Sequence, residues 1–233
     1  MIDAARPHVL ALQEVGPSDA LSSLQAILGW EMRHVALGEP DARGIRVAFL
    51  STRVLHVPTG VRIFPDGLLP VQVGDDPSGP SGPALMNQMG RGALEVTIRA
   101  GVRDVTIVNC HLKSKLLSFP GGRFSPRDEN ERARFAAYAL YRRTSEAVTL
   151  RSHITDRLAG AGRDYPFLLA GDMNDEPDAA TTQILQGPPG SEISTAGFDR
   201  PDTGDGERLW NLAGLLAPGQ AQTRVYRLSL IHI

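Results

Sequence analysis

Phe167-Leu168-Leu169-Ala170-Gly171-Asp172-Met173-Asn174-Asp175 runs from four apolar residues into a glycine and then into polar, chemically capable side chains. A short apolar run bounded by turn signals reads as a buried strand. Two other stretches share the layout: Val9-Leu10-Ala11-Leu12 before Gln13-Glu14, and Val105-Thr106-Ile107-Val108 before Asn109-Cys110-His111. In layered α/β proteins, functional groups gather just beyond the carboxyl ends of central strands. Three such strands ending side by side would bring Glu14, His111 and Asp172 together from distant parts of the chain.

The segments between these motifs fit the same α/β class. Ser18 to Leu28 has Leu21, Leu24 and Leu28 at helical spacing with Gly29 placed to end it, and predicts a helix lying against a sheet. Gly44 to Ser51 and Val54 to Phe64 predict strands, the second bent at Pro58-Thr59-Gly60. Ala93 to Arg99 alternates apolar and polar residues, the pattern of a half-buried strand, and a turn at Gly101 to Asp104 returns it as a hairpin. Ser125-Pro126-Arg127-Asp128 predicts a helix start with Ser125 as cap, the helix running to about Leu158 with Phe135, Tyr138, Ile154 and Leu158 inward. Val73 to Gly90 and Gln186 to Glu207 are rich in turn signals and predict loops. No internal repeat or interdomain linker stands out, so one domain is expected.

Composition narrows the classes. In 233 residues, 42% are apolar and 21% charged, with 24 Lys plus Arg against 26 Asp plus Glu. Those proportions exclude a disordered tail or a collagen-like rod. The single cysteine, Cys110, excludes an internal disulfide. No apolar run approaches the ~20 residues that a bilayer requires. The start, Met1 to Arg6, lacks the shape of a signal peptide, and localisation stays open. From His111 to Arg157 ten bases stand against five acids. Such a basic segment either attracts a phosphorylated substrate or is a solvated helix face with internal ion pairs, and the second is the ordinary case.

Each motif carries a chemical option. Glu14, just past an apolar strand, suits a hard cation such as Mg²⁺, which takes one or two carboxylates plus waters and substrate oxygens. The alternative is an exposed strand-end glutamate. Asp172 and Asn174, two apart, would share one side of an extended segment. There a carboxylate takes a proton from water and a carboxamide donates to a phosphate oxygen, unless the stretch is only an Asx-rich turn. Asn109 and His111 repeat the spacing, the histidine serving as donor or orienting group. Cys110 should point the other way, into the core. Arg91, opening the strand that leads to the second motif, is a weaker candidate for substrate phosphate, since such arginines are usually surface ion-pair partners.

Taken in order, Leu12-Gln13-Glu14, Asn109-Cys110-His111-Leu112 and Gly171-Asp172-Met173-Asn174 resemble the endonuclease/exonuclease/phosphatase superfamily, over about Pro7 to Val225. The resemblance implies a four-layer sandwich of two mixed β-sheets flanked by helices and Mg²⁺-dependent cleavage of a phosphate ester, with Mn²⁺ as the substitute ion. It assigns Glu14 to the metal, Asp172 to the attacking water, Asn174 to the phosphate, and His111 to the scissile phosphate with Asn109 in support. Nucleic acid leads among the substrates it allows, with phospholipid headgroups and sugar phosphates also open.

The chain departs from that pattern at both ends. The family's earlier strand ending in asparagine has no counterpart before Val9, and no closing strand carries an aspartate-histidine pair. Leu228-Ser229-Leu230-Ile231-His232-Ile233 resembles translated adapter sequence. The expectation is therefore a domain over residues 1–227 with a non-native tail at 228–233, a fragment weakly active or inactive by itself. Two other classes compete. A non-catalytic binding module on the same fold would account for the missing ends, and a Mg²⁺ titration at Glu14 separates it from an enzyme. Calcineurin-like two-metal phosphatases need further histidine and aspartate motifs that the chain does not display.

Overall fold

The computed structural model describes residues 5–28, 32–75, 83–162, 164–186 and 205–215. In chain order the elements are β1 (Val9–Val15), α1 (Ser18–Leu28), β2 (His34–Leu37), β3 (Arg46–Ser51), β4 (His56–Ile63), β5 (Val71–Asp75), β6 (Pro83–Met86), β7 (Gln88–Ala100), β8 (Arg103–His111), α2 (Glu129–Leu158), β9 (Phe167–Asp172) and α3 (Ala180–Gln186). They group into two compact units, each assembled from separate stretches of chain. The first comprises Met1–Ile63, Gln88–Leu112 and Gly162–Asp172; the second comprises Phe64–Asn87, Lys113–Ala161 and Met173–Ile233.

The first unit stacks two sheets. One is antiparallel with strand order β1-β3-β2; the other runs β4-β7-β8-β9, antiparallel except for the parallel pair β8–β9. The core between them takes alternate residues of each strand, as the two-residue period requires. Val47 and Phe49 of β3, Leu94, Val96 and Ile98 of β7, and Ile107 of β8 meet there, joined by Ala36 and the part-buried Val9 and Ala11. The intervening residues of the first sheet, Leu10, Leu12, Ala48 and Leu50, face α1 through Leu21, Leu24 and Leu28. Strand β3 is therefore buried on both faces, and α1 has the bounds its leucine spacing predicts. Pro58 sits in β4, an edge strand whose pairing to β7 slips twice, where a missing N–H costs no interior ladder bond.

One expectation here is corrected. Strand β7 is longer than the alternating run, and Glu95, expected outward, is only 2% exposed. Alternation identifies one buried face but does not reveal that the other is also shielded.

The second unit is built around α2. Ser125 does not cap it: Asp128 does, its carboxylate accepting from the Glu131 N–H at 2.8 Å. Both are plausible caps in sequence, but Asp128 is extended and lies three residues before a glutamate, the capping-box spacing. The helix ends at Leu158 on a left-handed Ala159, and Phe135, Tyr138, Ile154 and Leu158 are buried as their spacing predicts. Phe119, Phe135 and Tyr138 stack with centroids 5.1 and 5.3 Å apart. The Tyr138 hydroxyl donates to Asp75 at 2.9 Å and accepts from Gln72 at 3.1 Å, tying α2 to β5.

The expected loop at Val73 to Gly90 is also corrected. Its ends pair as the β5–β6 ribbon and β7 already begins at Gln88. Most of the Gln186–Glu207 stretch, and all of residues 228–233, lie outside the described residues.

Most bases of the basic segment are ion-paired, some within it and some with acids outside it. Lys115 and Arg143 pair with Asp175, Arg123 with Glu131, Arg132 with Glu129, Arg134 with Asp75 and Arg142 with Glu146. Hydrogen bonds from the Arg123 guanidinium hold the Glu131 carboxyl down to about 2. The ion-paired helix face is what the structure displays. Among the described residues, no helix is long and apolar enough to cross a membrane.

Candidate active site

Three motif strands of the first unit deliver Glu14, His111 and Asp172. Strand β1 does not stop before Glu14 as its apolar run suggests. It continues to Val15, and its register against β3 slips between Leu12 and Val15. Glu14 lies within that bulge at φ 55°, a left-handed conformation unusual for a non-glycine residue and one that β-bulges use to re-aim a side chain. The residue is exposed, so no burial cost compels its pairing, and among the described residues it makes no ion pair.

Strand β8 carries Asn109 and His111 on one face, with Cys110 fully buried. Asn109 Nδ2 donates to the carbonyls of Leu12 at 2.9 Å and Ala48 at 3.0 Å, and its Oδ1 accepts from Gln13 Nε2 at 2.6 Å. His111 is 4% exposed. Its Nε2 lies 3.8 Å from Asp172 Oδ2, too far for a hydrogen bond, and its buried Nδ1 has no hydrogen-bond partner among the described residues.

Burial pushes the His111 pKa below its ordinary value, and the Arg91 charge works in the same direction. Asp172 and then Glu14 oppose the shift without reversing it, while Arg43 adds to it. At neutral pH the ring is uncharged, so it offers one N–H as donor and keeps one nitrogen as acceptor.

Arg91 spends its guanidinium near this site on the backbone. Nη2 donates to the Leu112 carbonyl at 2.9 Å and Nε to that of His111 at 3.4 Å, bracing the chain as it leaves β8. Asp172 ends β9 directly opposite His111 in the parallel register, and the Leu112 N–H donates to its carbonyl at 2.9 Å. Gly171 is required inside the strand rather than for a tight exit. It sits at φ 136° against Cys110, where a Cβ would lie 2.8 Å from the Cys110 nitrogen and carbonyl carbon and closer still to the oxygen.

Asn174 belongs to the second unit. It is buried and left-handed at φ 50°, so the extended geometry expected from Asp172 to Asn174 does not hold. Asparagine tolerates that conformation better than most residues. The next residue, Asp175, is held by Arg143 at 3.1 Å, Lys115 at 2.9 Å and the Thr181 hydroxyl. Burial works to raise its pKa, but those hydrogen bonds and charges outweigh it and keep the carboxylate ionised.

Sequence reasoning passed over Gln13, Arg43 and Asp175. Gln13 and Asp175 were in view as motif neighbours, but only contacts across the fold give them roles. Arg43 lies in the Asp41–Gly44 turn between β2 and β3, where Asp41 Oδ1 accepts from the Arg43 and Ile45 N–H groups. No local pattern marks it.

Among the described residues, no three His, Cys, Asp or Glu side chains cluster to hold a metal by themselves. An exposed carboxylate with a second acidic residue acting on the same imidazole suits an ion that keeps most of its waters.

Stacked sheets place acidic, imidazole and amide groups at the ends of neighbouring strands, the layout of a hydrolytic site. The sequence matches the Endonuclease/Exonuclease/phosphatase family over residues 1–227, and the chain belongs to that family. Its members are hydrolases of phosphate esters and are typically dependent on a divalent metal.

Solved structures similar to this chain include the catalytic domain of human nocturnin, at 18% identity over 79% of this chain and 56% of that one, TM-score 0.47. Sphingomyelinase C from Streptomyces griseocarneus is 18% identical over 76% and 55%, TM-score 0.43. TDP2 from D. rerio, complexed with single-strand DNA product, is 14% identical over 81% and 56%, TM-score 0.44. The chain thus spans a little over half the length of these structures. No curated protein matches it.

Proposed function

We propose that this chain carries the site of a Mg²⁺-dependent phosphodiesterase acting on nucleic acid, with residues 1–227 as its domain. Glu14 would hold the ion, with Mn²⁺ able to replace Mg²⁺. When bound, the ion supplies charge neutralisation at the phosphate and the leaving oxygen. Asp172 orients the attacking water and accepts its proton. His111, neutral at working pH, donates one N–H to the phosphate. Arg91 braces the backbone behind His111 and adds positive potential for the phosphate. A single observation carries the proposal: the buried His111 ring ends β8 directly opposite Asp172 of β9, its Nε2 3.8 Å from the Asp172 carboxylate.

The test is Mg²⁺ calorimetry together with hydrolysis of a DNA oligonucleotide, a choline phospholipid and a sugar phosphate. Mg²⁺ binding should be lost in Glu14→Gln. Turnover should favour DNA and fall at least about hundredfold in Asp172→Ala. Turnover that persists in chelator or survives Asp172→Ala overturns the mechanism, and preference for another substrate overturns the nuclease assignment.

A further inference from the structure

We propose that Gln13 and Asn109 form a buried amide latch between the two sheets of the first unit, and that it fixes the bulge carrying Glu14 against the strand carrying His111. This rests on the phosphodiesterase reading for what Glu14 does, but the latch itself stands on geometry. Asn109 is fully buried on the same face of β8 as Val105 and Ile107, in a core that is otherwise apolar. An amide there is costly unless satisfied. Both of its N–H groups are taken, one by the Leu12 carbonyl of β1 and one by the Ala48 carbonyl of β3, and its oxygen receives the Gln13 amide at 2.6 Å.

Leu12 and Ala48 are themselves cross-strand partners, so Asn109 grips a register pair. That pair is the last in register before the slip that contains Gln13 and Glu14. The latch therefore clamps the bulge from its backbone side through Leu12 and from within through the Gln13 side chain. Two residues beyond Asn109 on the same face stands His111. With both donors spent inside the protein, Asn109 has none left for a phosphate. It is a positioning residue, and Gln13 is its partner.

The experiment compares the parent chain with Gln13→Met, Asn109→Asp, the double variant and Glu14→Gln. Mg²⁺ alone is titrated calorimetrically, and side-chain amide exchange is read by ¹⁵N NMR. Gln13→Met leaves both Asn109 donors in place and keeps the test decisive if Asn109→Asp does not fold. Expected are a loss of Mg²⁺ affinity of about tenfold or more in each single variant, no further loss in the double variant, and a thermal midpoint lowered by only a few degrees in Gln13→Met, where the buried Asn109 oxygen loses its donor.

The Gln13 carboxamide should exchange slowly in the parent, in Glu14→Gln and in Asn109→Asp, whose carboxylate still accepts from it while the bonds to Leu12 and Ala48 are lost. Parental Mg²⁺ affinity in Gln13→Met overturns the latch, and so does a freely exchanging Gln13 amide in the parent. A protected amide in a chain whose Mg²⁺ binding ignores Glu14→Gln instead removes the metal assignment and leaves the latch standing.

Discussion

Replacing Gly171 with alanine asks the most of the structure for the least chemical change. The added Cβ would lie 2.8 Å from the Cys110 nitrogen and carbonyl carbon and overlap its oxygen. All three are backbone atoms of the paired strand, so no side chain can swing aside. The backbone at φ 136° is a second obstacle, costing an alanine about 1–3 kcal/mol. To relieve the clash β9 must back away from β8 by roughly an ångström. That stretches the ladder on either side of Cys110–Gly171 and the Leu112 N–H to Asp172 bond, at about 1 kcal/mol for each bond lost.

Together these terms come to about 3–5 kcal/mol, a large share of the ~5–15 kcal/mol by which a domain is stable. In urea the midpoint should fall by roughly 1–2 M at an m-value of about 2–3 kcal/mol/M. Hydrogen exchange should quicken first at residues 110–112 and 171–172. A Gly171→Ala protein within about 1 kcal/mol of its parent would refute the placement of β9 against β8.

Other outcomes follow from the same structure. His111 has a pKa below its reference of 6.5, so between those values the unfolded chain binds the proton first. Its contribution is full above about 6.5 and is lost as pH falls toward the folded pKa. Urea midpoints at pH 7.5 and 5.5 should differ less in His111→Gln, and an equal difference counts against the buried neutral ring. Asp175→Asn strands Arg143, 7% exposed at its side chain, and should cost about 3 kcal/mol or more by chemical denaturation. Asp128→Ala should cost about 1 kcal/mol and Ser125→Ala almost nothing; the reverse order in thermal melts would restore Ser125 as the cap.

The three strand ends were legible because each joins a saturated apolar run to polar residues within two or three positions. The burial expected of all three holds only for β8: no residue of β1 or β9 is fully buried, and Leu168 of the edge strand β9 is 46% exposed. Helix α1 was legible for the same kind of reason, its leucines and terminal glycine agreeing. What stayed hidden depends on partners distant in the chain. Periodicity along β1 does not show a register slip against β3, so Glu14 looked like a residue beyond the strand rather than inside it. Glu95 looked exposed because alternation reports one face of a strand at a time. The β5–β6 ribbon lies in a stretch whose glycines and prolines argue for a loop, and pairing overrode that local preference. The Gln13–Asn109 contact joins residues 96 positions apart, and neither residue type announces it.

The left-handed backbone at Glu14 has a bearing on how such a chain would change over generations. Glycine or asparagine would sit there at ease, while a glutamate holds the same torsion under protest. A lineage released from the need for that carboxylate should drift toward the relaxed residues, gaining stability with each step. A randomised library sorted for folding alone should accordingly enrich glycine and asparagine at position 14, whereas one sorted for cation capture should keep the acid.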